Sequence, residues 1–265
     1  MIDAIRSEFR KYFSTRLWWG MALGIVAAAA LFTGFFAFVF LKLAPDAQPE
    51  MAATDPVQLA NSIYTAGLQV GYVLLLTIGV IHIGSEYRHK TITATYLATP
   101  RRVRSLLAKA IALIGIAVFN GLLSVITSTA VGAGMISLFD GDPFPSAEIG
   151  RTLALSLLVL AVWALIGLGV GILIPNQVAA LLIAIGVAWI VEPLVTFGIG
   201  FWNWGAEHVV QFLPTQATAA VVNTIDSSGT GAARLSWWAA ALVLTAYALI
   251  LAGIGIWRAS REDIG

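Results

Sequence analysis

Three side chains near residue 85 have the types and spacing of metal ligands. His82, Glu86 and His89 recur at i, i+4 and i+7, so one continuous helix would align them on a single face. Glu86-x-x-His89 is also half of a di-iron motif, which needs further carboxylates from other helices. No other part of the chain offers a matching set, so we predict no metal or cofactor here. The alternative is a structural role, with Glu86 paired to nearby Arg88 or Lys90.

The same segment nearly matches a phosphate-binding loop. Residues 84–91 begin with Gly84 and end with Lys90-Thr91, as in G-x-x-x-x-G-K-[ST], but His89 replaces the second glycine. The element before the segment is an apolar run of membrane length, whereas a phosphate-binding loop follows a strand. We therefore expect no nucleotide binding by this chain alone.

Glu192 is an acid inside a long apolar run, immediately before Pro193. A charged residue at the centre of a membrane helix costs roughly 2.5–3.5 kcal/mol on insertion scales, and less away from the centre. Such residues usually mark ion or substrate pathways, so Glu192 is a candidate for the translocation path. The alternative is structural: a salt bridge, or a protonated carboxyl that is hydrogen-bonded within the protein.

A polar stripe runs along one face of another apolar segment. Its members are Asn120, Ser124, Thr127 and Ser128, spaced at i, i+4, i+7 and i+8. In a bilayer such a stripe should face protein or water. Both a translocation path and helix packing are consistent with it, and the sequence does not separate them.

The elements that must position these residues are membrane helices. Of the 265 residues, 59% are hydrophobic and 11% are charged, with a mean hydropathy of +0.88, whereas soluble domains carry about 25% charged residues. The predicted fold is an all-α polytopic membrane protein forming a single transmembrane domain over residues 1–265. We predict spans at about 17–40, 63–84, 106–138, 152–174, 178–200 and 236–257.

Two further elements lie outside the six spans. Residues 1–16 carry Ile2, Ile5, Phe9 and Phe13 on one side and mostly basic groups on the other, which predicts an amphipathic helix in the headgroup region. Residues 201–235 contain apolar pieces too short to span, which predicts a re-entrant or surface segment on the outer side.

The distribution of basic residues predicts the orientation. With six spans, twelve Lys and Arg residues fall on the side of the termini and three on the other. Basic residues near span ends favour the cytoplasmic side, so we expect both termini and the loop 85–105 to be cytoplasmic. Many Arg, Ala and Gly residues suggest a bacterial source, and hence the cytoplasmic (inner) membrane.

Three pieces of sequence in and next to this loop resemble a known family. They are Gly84-Ser-Glu-Tyr-Arg-His-Lys-Thr91, Tyr96-Leu-Ala-Thr-Pro-Arg-Arg102 and Leu107-Ala-Lys109. Together they resemble the loop after the second span in the transmembrane permease subunits of type-2 (ABC-2-type) ABC exporters. The arrangement of helices over the whole chain is similar in outline.

The resemblance implies partners and a role for the loop. The chain would pair with a second permease copy or a paralogue and with two ABC ATPase (nucleotide-binding) subunits, which would hold the ATP and Mg²⁺. A short coupling helix, about Tyr87 to Ala98, would dock on the ATPase. Membrane lipids are expected partners and nucleic acid is not. The residues expected to couple the chain to the ATPase are Glu86, Tyr87, Arg88, Thr91 and Tyr96.

The resulting functional prediction is a permease subunit and not an enzyme. Because the predicted outer loops are short, we expect a small hydrophobic or amphipathic cargo, such as a drug, an antibiotic peptide or a lipid. The alternatives are a membrane-embedded metalloenzyme using His82, Glu86 and His89, and an ATP-independent channel or carrier. Whether the pair is a homodimer or a heterodimer is left open by the sequence.

Overall fold

The protein is an all-α polytopic membrane protein, as the sequence predicts. The computed structural model describes residues 1–43, 55–91, 102–224 and 234–261, and within these ranges the regular elements are all helical. The α-helices in chain order are α1 Ile2–Ser14, α2 Leu17–Phe38, α3 Pro56–Thr65, α4 Leu68–Arg88, α5 Arg102–Leu138, α6 Glu148–Leu173, α7 Gln177–Gly186, α8 Glu192–Gly200, α9 Asn203–His208, α10 Pro214–Val221 and α11 Trp237–Arg261.

Six helical stretches in the described ranges are long and apolar enough to cross a membrane. They are Leu17–Leu43, Pro56–Arg88, Val103–Leu138, Glu148–Leu173, Gln177–Gly200 and Trp237–Arg258. Two of these stretches each consist of two successive helices: α3 is followed by α4, and α7 is followed by α8. The prediction of six membrane-spanning helices is therefore confirmed.

The second of these stretches starts earlier than the prediction of about residue 63. Pro56 occupies the first turn of α3, where its missing N–H leaves no hydrogen bond unmade. The Asp55 side chain caps the helix by accepting a hydrogen bond of 3.1 Å from the Val57 amide. The end of the predicted outer loop 41–61 is thus helical, whereas residues 44–54 lie outside the described ranges.

The centre of the bundle is the crossing of α4 and α6. A Cβ atom added to Gly79 would overlap the Ala164 carbonyl oxygen, and one added to Gly167 would overlap the Leu76 carbonyl oxygen. The two backbones are therefore in direct contact at this crossing, which only glycine permits. Helices α5 and α11 pack on α6, and α2 packs on α4 and α5.

In the described part of the chain, two membrane helices change to π-helical geometry for one turn. Val39–Leu43 continues α2, and Val187–Val191 joins α7 to α8. In the second segment the Glu192 amide donates to the Val187 carbonyl, five residues back. Pro193 follows at once and has no N–H to continue the α-helical pattern, which explains why the irregular turn lies there.

The two ends of the bundle differ in character. The basic end carries α1, the last turn of α4 and the first turns of α5; Arg258 of α11 also reaches it, donating to the Leu173 carbonyl at 2.9 Å. The opposite end carries α9, α10 and the connection between α5 and α6. There, Tyr64 donates a hydrogen bond of 2.6 Å to the Pro143 carbonyl.

Candidate functional site

Five titratable side chains from three helices meet at the basic end, and we call them the ion cluster. They are Glu8 and Lys11 of α1, His82 and Glu86 of α4, and Lys109 of α5. Lys109 Nζ donates to Glu8 Oε2 at 2.8 Å and to Glu86 Oε1 at 2.6 Å. Lys11 Nζ donates to Glu8 Oε1 and Glu86 Oε1, both at 2.7 Å. The ion cluster therefore ties α1, α4 and α5 together.

The ion cluster is largely withdrawn from solvent. Lys109 is 1% exposed, Glu8 4% and Glu86 5%, whereas the Lys11 side chain is 49% exposed. His82 Nε2 lies 3.3 Å from Glu8 Oε2. With His82 in its neutral form, two carboxylates balance two ammonium groups. Such balance is needed because a buried charge without a partner is strongly destabilising.

The environment shifts the pKa values of the two α1 members in opposite directions. Burial acts to raise the pKa of Glu8, but the Lys109 and Lys11 ammonium groups outweigh it and hold that pKa below its usual value. Burial acts to lower the pKa of Lys11, and the hydrogen bonds to Glu8 and Glu86 outweigh it, so that pKa is raised. Both shifts favour the charged forms.

Apolar and polar contacts dock α1 along α5 beside the ion cluster. The Phe9 ring packs on Gly115, where an added Cβ atom would lie only 2.5 Å from Phe9 Cζ. Asn120 Nδ2 donates to Tyr12 Oη at 3.1 Å. Glu8 belongs to this buried side of α1 because it lies one turn before Tyr12. The docking holds α1 against two membrane helices and fixes Glu8 next to Lys109.

The loop predicted to couple to an ATPase begins directly after the ion cluster. Helix α4 ends in a Schellman motif, in which the Thr91 amide donates to the Glu86 carbonyl at 3.0 Å and the Lys90 amide donates to the Tyr87 carbonyl at 3.2 Å. Lys90 has φ 54° at the position that glycine usually fills. Tyr87 and Arg88 belong to the last turn of α4, and Tyr96 and most of the predicted coupling helix lie outside the described residues.

The predicted local partners of Glu86 are wrong. Glu86 pairs with Lys11 and Lys109, not with Arg88 or Lys90. The Lys109 ammonium group lies between the carboxylates of Glu8 and Glu86. The described part of the chain contains no group of three or more His, Asp and Glu residues able to hold a metal ion.

The polar stripe of the third span faces neighbouring helices. Asn120, Ser124 and Ser128 are buried, and Thr127 is partly buried with its hydroxyl donating to the Leu123 carbonyl at 2.7 Å. A Cβ atom added to Gly71 would lie 3.7 Å from the Ser124 hydroxyl oxygen, and one added to Gly67 would lie 3.2 Å from the Ser128 hydroxyl oxygen. This arrangement favours the packing interpretation of the stripe.

Glu192 forms a cap on another helix. Its Oε1 atom accepts hydrogen bonds of 2.6 Å from both the amide and the hydroxyl of Thr215. Thr215 is the second residue of α10, so the carboxylate satisfies a free N–H at a helix N-terminus, where negative charge is favourable. Glu192 is 5% exposed. Of the two structural alternatives for Glu192, a salt bridge and a hydrogen-bonded carboxyl, this geometry matches the second.

A cavity of about 600 Å³ lies next to this capped helix end, between α2, the α3–α4 helix, the α7–α8 helix and α10. Its walls include the aromatic side chains of Phe36, Phe40, Tyr72 and Trp189, together with Thr215. None of the polar-stripe residues lines this cavity. Glu192 adjoins the cavity through its hydrogen-bond partner Thr215 and its neighbour in sequence Pro193, both of which line it.

Several residues of these two sites were not singled out by sequence. Glu8, Lys11 and Tyr12 lie in a helix whose sequence predicts only interfacial binding, and Lys109 stands out in the sequence only as a basic residue at the start of the third predicted span. Tyr72 and Thr215 carry no local signal. For Glu8 a signal exists: it is an acid at a position that the helical period places with the apolar side of α1.

Comparisons with known proteins add no identification. No protein-family model matches the chain, and a search of curated proteins found no match either. The fold and the two sites define a polytopic all-α membrane protein with a buried ion cluster at one end and an aromatic cavity at the other.

Proposed function

We propose that the chain is the membrane-spanning permease subunit of an ATP-driven exporter of the ABC-2 type, working with a separate ABC ATPase. The ion cluster is the observation that carries this proposal. It joins the helix before the loop 92–101 and the helix after it to α1 through Lys109, Glu86 and Glu8. A force applied to that loop would therefore move α1, α4 and α5 as one unit.

The ion cluster gives Glu86 a specific part in this mechanism. Because Glu86 is buried, it is unsuited to touch an ATPase directly and suited to hold the corner where α4 ends. The exposed residues of that corner, Arg88, His89, Lys90 and Thr91, are positioned for contact with a soluble partner. The sequence pieces that resemble ABC-2 permeases lie within residues 84–109, on both sides of this corner.

Helix α5 provides the path from the loop into the membrane domain. It contains 37 residues, which corresponds to about 55 Å of helix, well beyond a hydrocarbon core of about 30 Å. One helix therefore carries Lys109 in the ion cluster, Asn120 beside Tyr12 and Ser128 beside Gly67. A displacement at the loop would reach the packed interior without crossing a flexible joint.

The proposal is tested by expressing a tagged form of the chain together with the ABC ATPase expected from a neighbouring gene. We expect the ATPase to copurify and to hydrolyse MgATP faster in liposomes containing the complex than as the free subunit. Glu86→Gln should reduce this stimulation while the complex still assembles. Glu148→Gln, an exposed acid at the start of α6, is the matched control.

Two results would contradict the proposal. If the chain alone in liposomes moves a cargo with no ATPase or ATP present, it is an ATP-independent channel or carrier. If the ATPase is stimulated equally in complexes with the Glu86→Gln variant and with the Glu148→Gln variant, the ion cluster has no part in coupling.

A further inference from the structure

The cavity at the opposite half of the bundle has the size and lining of a small-molecule site. Its volume of about 600 Å³ falls within the range of roughly 300–1,000 Å³ found for ligand pockets. Four aromatic rings face it, from Phe36, Phe40, Tyr72 and Trp189, and hydroxyl and amide groups of α3, α4 and α10 complete the wall. Among the described residues that line it there is no charged side chain.

A buried carboxyl group, that of Glu192, lies directly behind this wall. Its hydrogen-bond partner Thr215 lines the cavity, so the carboxylate lies one residue behind the wall. Both hydrogen bonds from Thr215 reach Oε1, and in the described ranges no Lys, Arg or His forms an ion pair with Glu192. A deprotonated Glu192 would therefore be a buried negative charge without an ion-pair partner among the described residues. Arg234 also reaches this wall, where its guanidinium donates to the carbonyl of the lining residue Thr224, but it is exposed, so water screens its charge.

The two π-helical segments converge on this cavity. Phe40 belongs to Val39–Leu43, and Trp189 belongs to Val187–Val191. π-Helical turns inside α-helices are frequent at functional sites because they redirect side chains. Two separate membrane helices are thus irregular at the points where they supply aromatic rings to the same wall.

From these observations we propose that the cavity binds a cationic amphiphile, with its apolar body against the aromatic rings and its positive group on the side of Glu192. Aromatic faces attract cations within about 6 Å, and more strongly away from water. The carboxylate adds to this attraction and repels anions of the same shape. This proposal rests on the proposed export function, because it names the chemical class of the cargo.

The cap on α10 is compatible with this role. The cap occupies Oε1 alone, and a carboxylate can accept hydrogen bonds at both oxygens. The cap also fixes the carboxylate beside Thr215, so the charge has a defined place relative to the cavity. A carboxyl group that stayed protonated in this cap would, by contrast, add no preference for cations over anions.

Two ions of the same size and shape but opposite charge test the proposal directly. Tetraphenylphosphonium is the cation and tetraphenylborate is the anion, and each is measured by equilibrium dialysis with the purified chain in phosphatidylcholine nanodiscs. Partitioning into empty nanodiscs is subtracted. We expect saturable binding of about one phosphonium per chain and no saturable binding of the borate.

Two variants assign the preference to Glu192. Glu192→Gln removes the charge and should weaken phosphonium binding by tenfold or more. Glu207→Gln, an exposed acid of α9 at the same end, should have no effect. Thermal unfolding of each variant shows whether it is folded.

The wild-type protein alone can overturn the proposal, even if Glu192→Gln does not fold. Equal saturable binding of both ions, or of neither, contradicts it, as does undiminished phosphonium binding by a folded Glu192→Gln variant. Adding phosphatidylethanolamine to the nanodiscs identifies the source of the cation. Competition with phosphonium would show that the ammonium headgroup of a lipid enters the same site, and lack of competition would point to a soluble cargo.

These measurements are independent of the ATPase. Phosphonium binding by a chain that copurifies with no ATPase would uphold the site and contradict only the permease proposal. A stimulated ATPase complex without phosphonium binding would uphold the permease and contradict only the cationic cargo.

Discussion

Lys109 holds two buried carboxylates, and its charge decides whether the ion cluster is stable. Replacing it with methionine keeps the length of the side chain but leaves Glu8 and Glu86 with only the half-exposed Lys11. Removing one partner of a buried ion pair typically costs roughly 3–5 kcal/mol. We therefore expect Lys109→Met to lower the Tm of the purified protein strongly.

A triple variant distinguishes charge from packing. Lys109→Met combined with Glu8→Gln and Glu86→Gln removes the charges together, and we expect it to recover most of the lost Tm because no buried carboxylate remains uncompensated. Equal losses of Tm in the single and triple variants would show that Lys109 acts through its packing.

The pKa shifts of Glu8 and Lys11 give the ion cluster a window of pH stability. The pKa of Glu8 is lowered in the folded state, so its contribution is present above the unfolded value near 4.5 and is lost as pH falls through the folded value. The pKa of Lys11 is raised, so its contribution is present below 10.5 and is lost as pH rises through the folded value. Stability should therefore be highest between these limits.

The measurement is Tm against pH for the wild type and for Glu8→Gln. We expect the difference between their Tm values to be largest near neutral pH and to shrink as the solution is made acidic. A difference that stays constant down to pH 3 would contradict the assigned role of Glu8. Glu148→Gln, which lies outside the ion cluster, should show no such pH dependence.

The partners of Glu86 show the limit of sequence reasoning at this scale. Arg88 and Lys90 are visible neighbours, but residues two apart do not face each other on a helix, and α4 has ended before Lys90. The actual partners, Lys109 and Lys11, lie 23 and 75 residues away in sequence. Glu192 was recognisable because an acid is rare in an apolar span, whereas its partner Thr215 has no such contrast.

At the scale of helices, the crossing of α4 and α6 depends on two glycines. Gly167→Ala would place a Cβ atom against the Leu76 carbonyl oxygen, so the helices would have to separate. Overpacking of this kind typically costs roughly 1–3 kcal/mol. Gly186→Ala, where an added Cβ atom meets nothing within 4 Å, is the matched control.

We expect a lower Tm for Gly167→Ala and an unchanged or slightly higher Tm for Gly186→Ala, measured by thermal unfolding in detergent. The slight gain follows from the better helix propensity of alanine. Equal Tm values for the two variants would mean that the crossing tolerates separation.

The membrane helices were predictable because length and hydropathy are local properties. Asp55 and Pro56 carry a helix start signal, yet the polar residues after them placed the predicted start of that span near residue 63. Helix α10 was not predicted as a packed helix, because Ala217 and Val221 are buried by α6 and α11 and not by any local pattern. The π-helical turn before Pro193 likewise needs the three-dimensional structure.

At the scale of the whole molecule, charge separates the two ends of the bundle. The basic end holds the ion cluster and most of the Lys and Arg residues, whereas the opposite end holds the aromatic cavity and Glu192. This arrangement places the proposed ATPase contact and the proposed cargo site at opposite ends. Helix α5 runs from the ion cluster to the neighbourhood of Ser128, so it links the two halves of the bundle.

The same asymmetry predicts how the molecule lies in the membrane. Twelve of the fifteen Lys and Arg residues lie within residues 1–16, 88–109 or 258–261. Because basic residues near span ends resist translocation, the basic end should face the cytoplasm.

The chain has no cysteine, so single cysteines report on position without background. We expect Asp142→Cys, exposed at the opposite end, to react in intact cells with a membrane-impermeant maleimide, and Arg88→Cys to react only after permeabilisation. Reaction of Arg88→Cys in intact cells, with Asp142→Cys protected, would reverse the orientation and remove the loop 92–101 from the reach of a cytoplasmic ATPase.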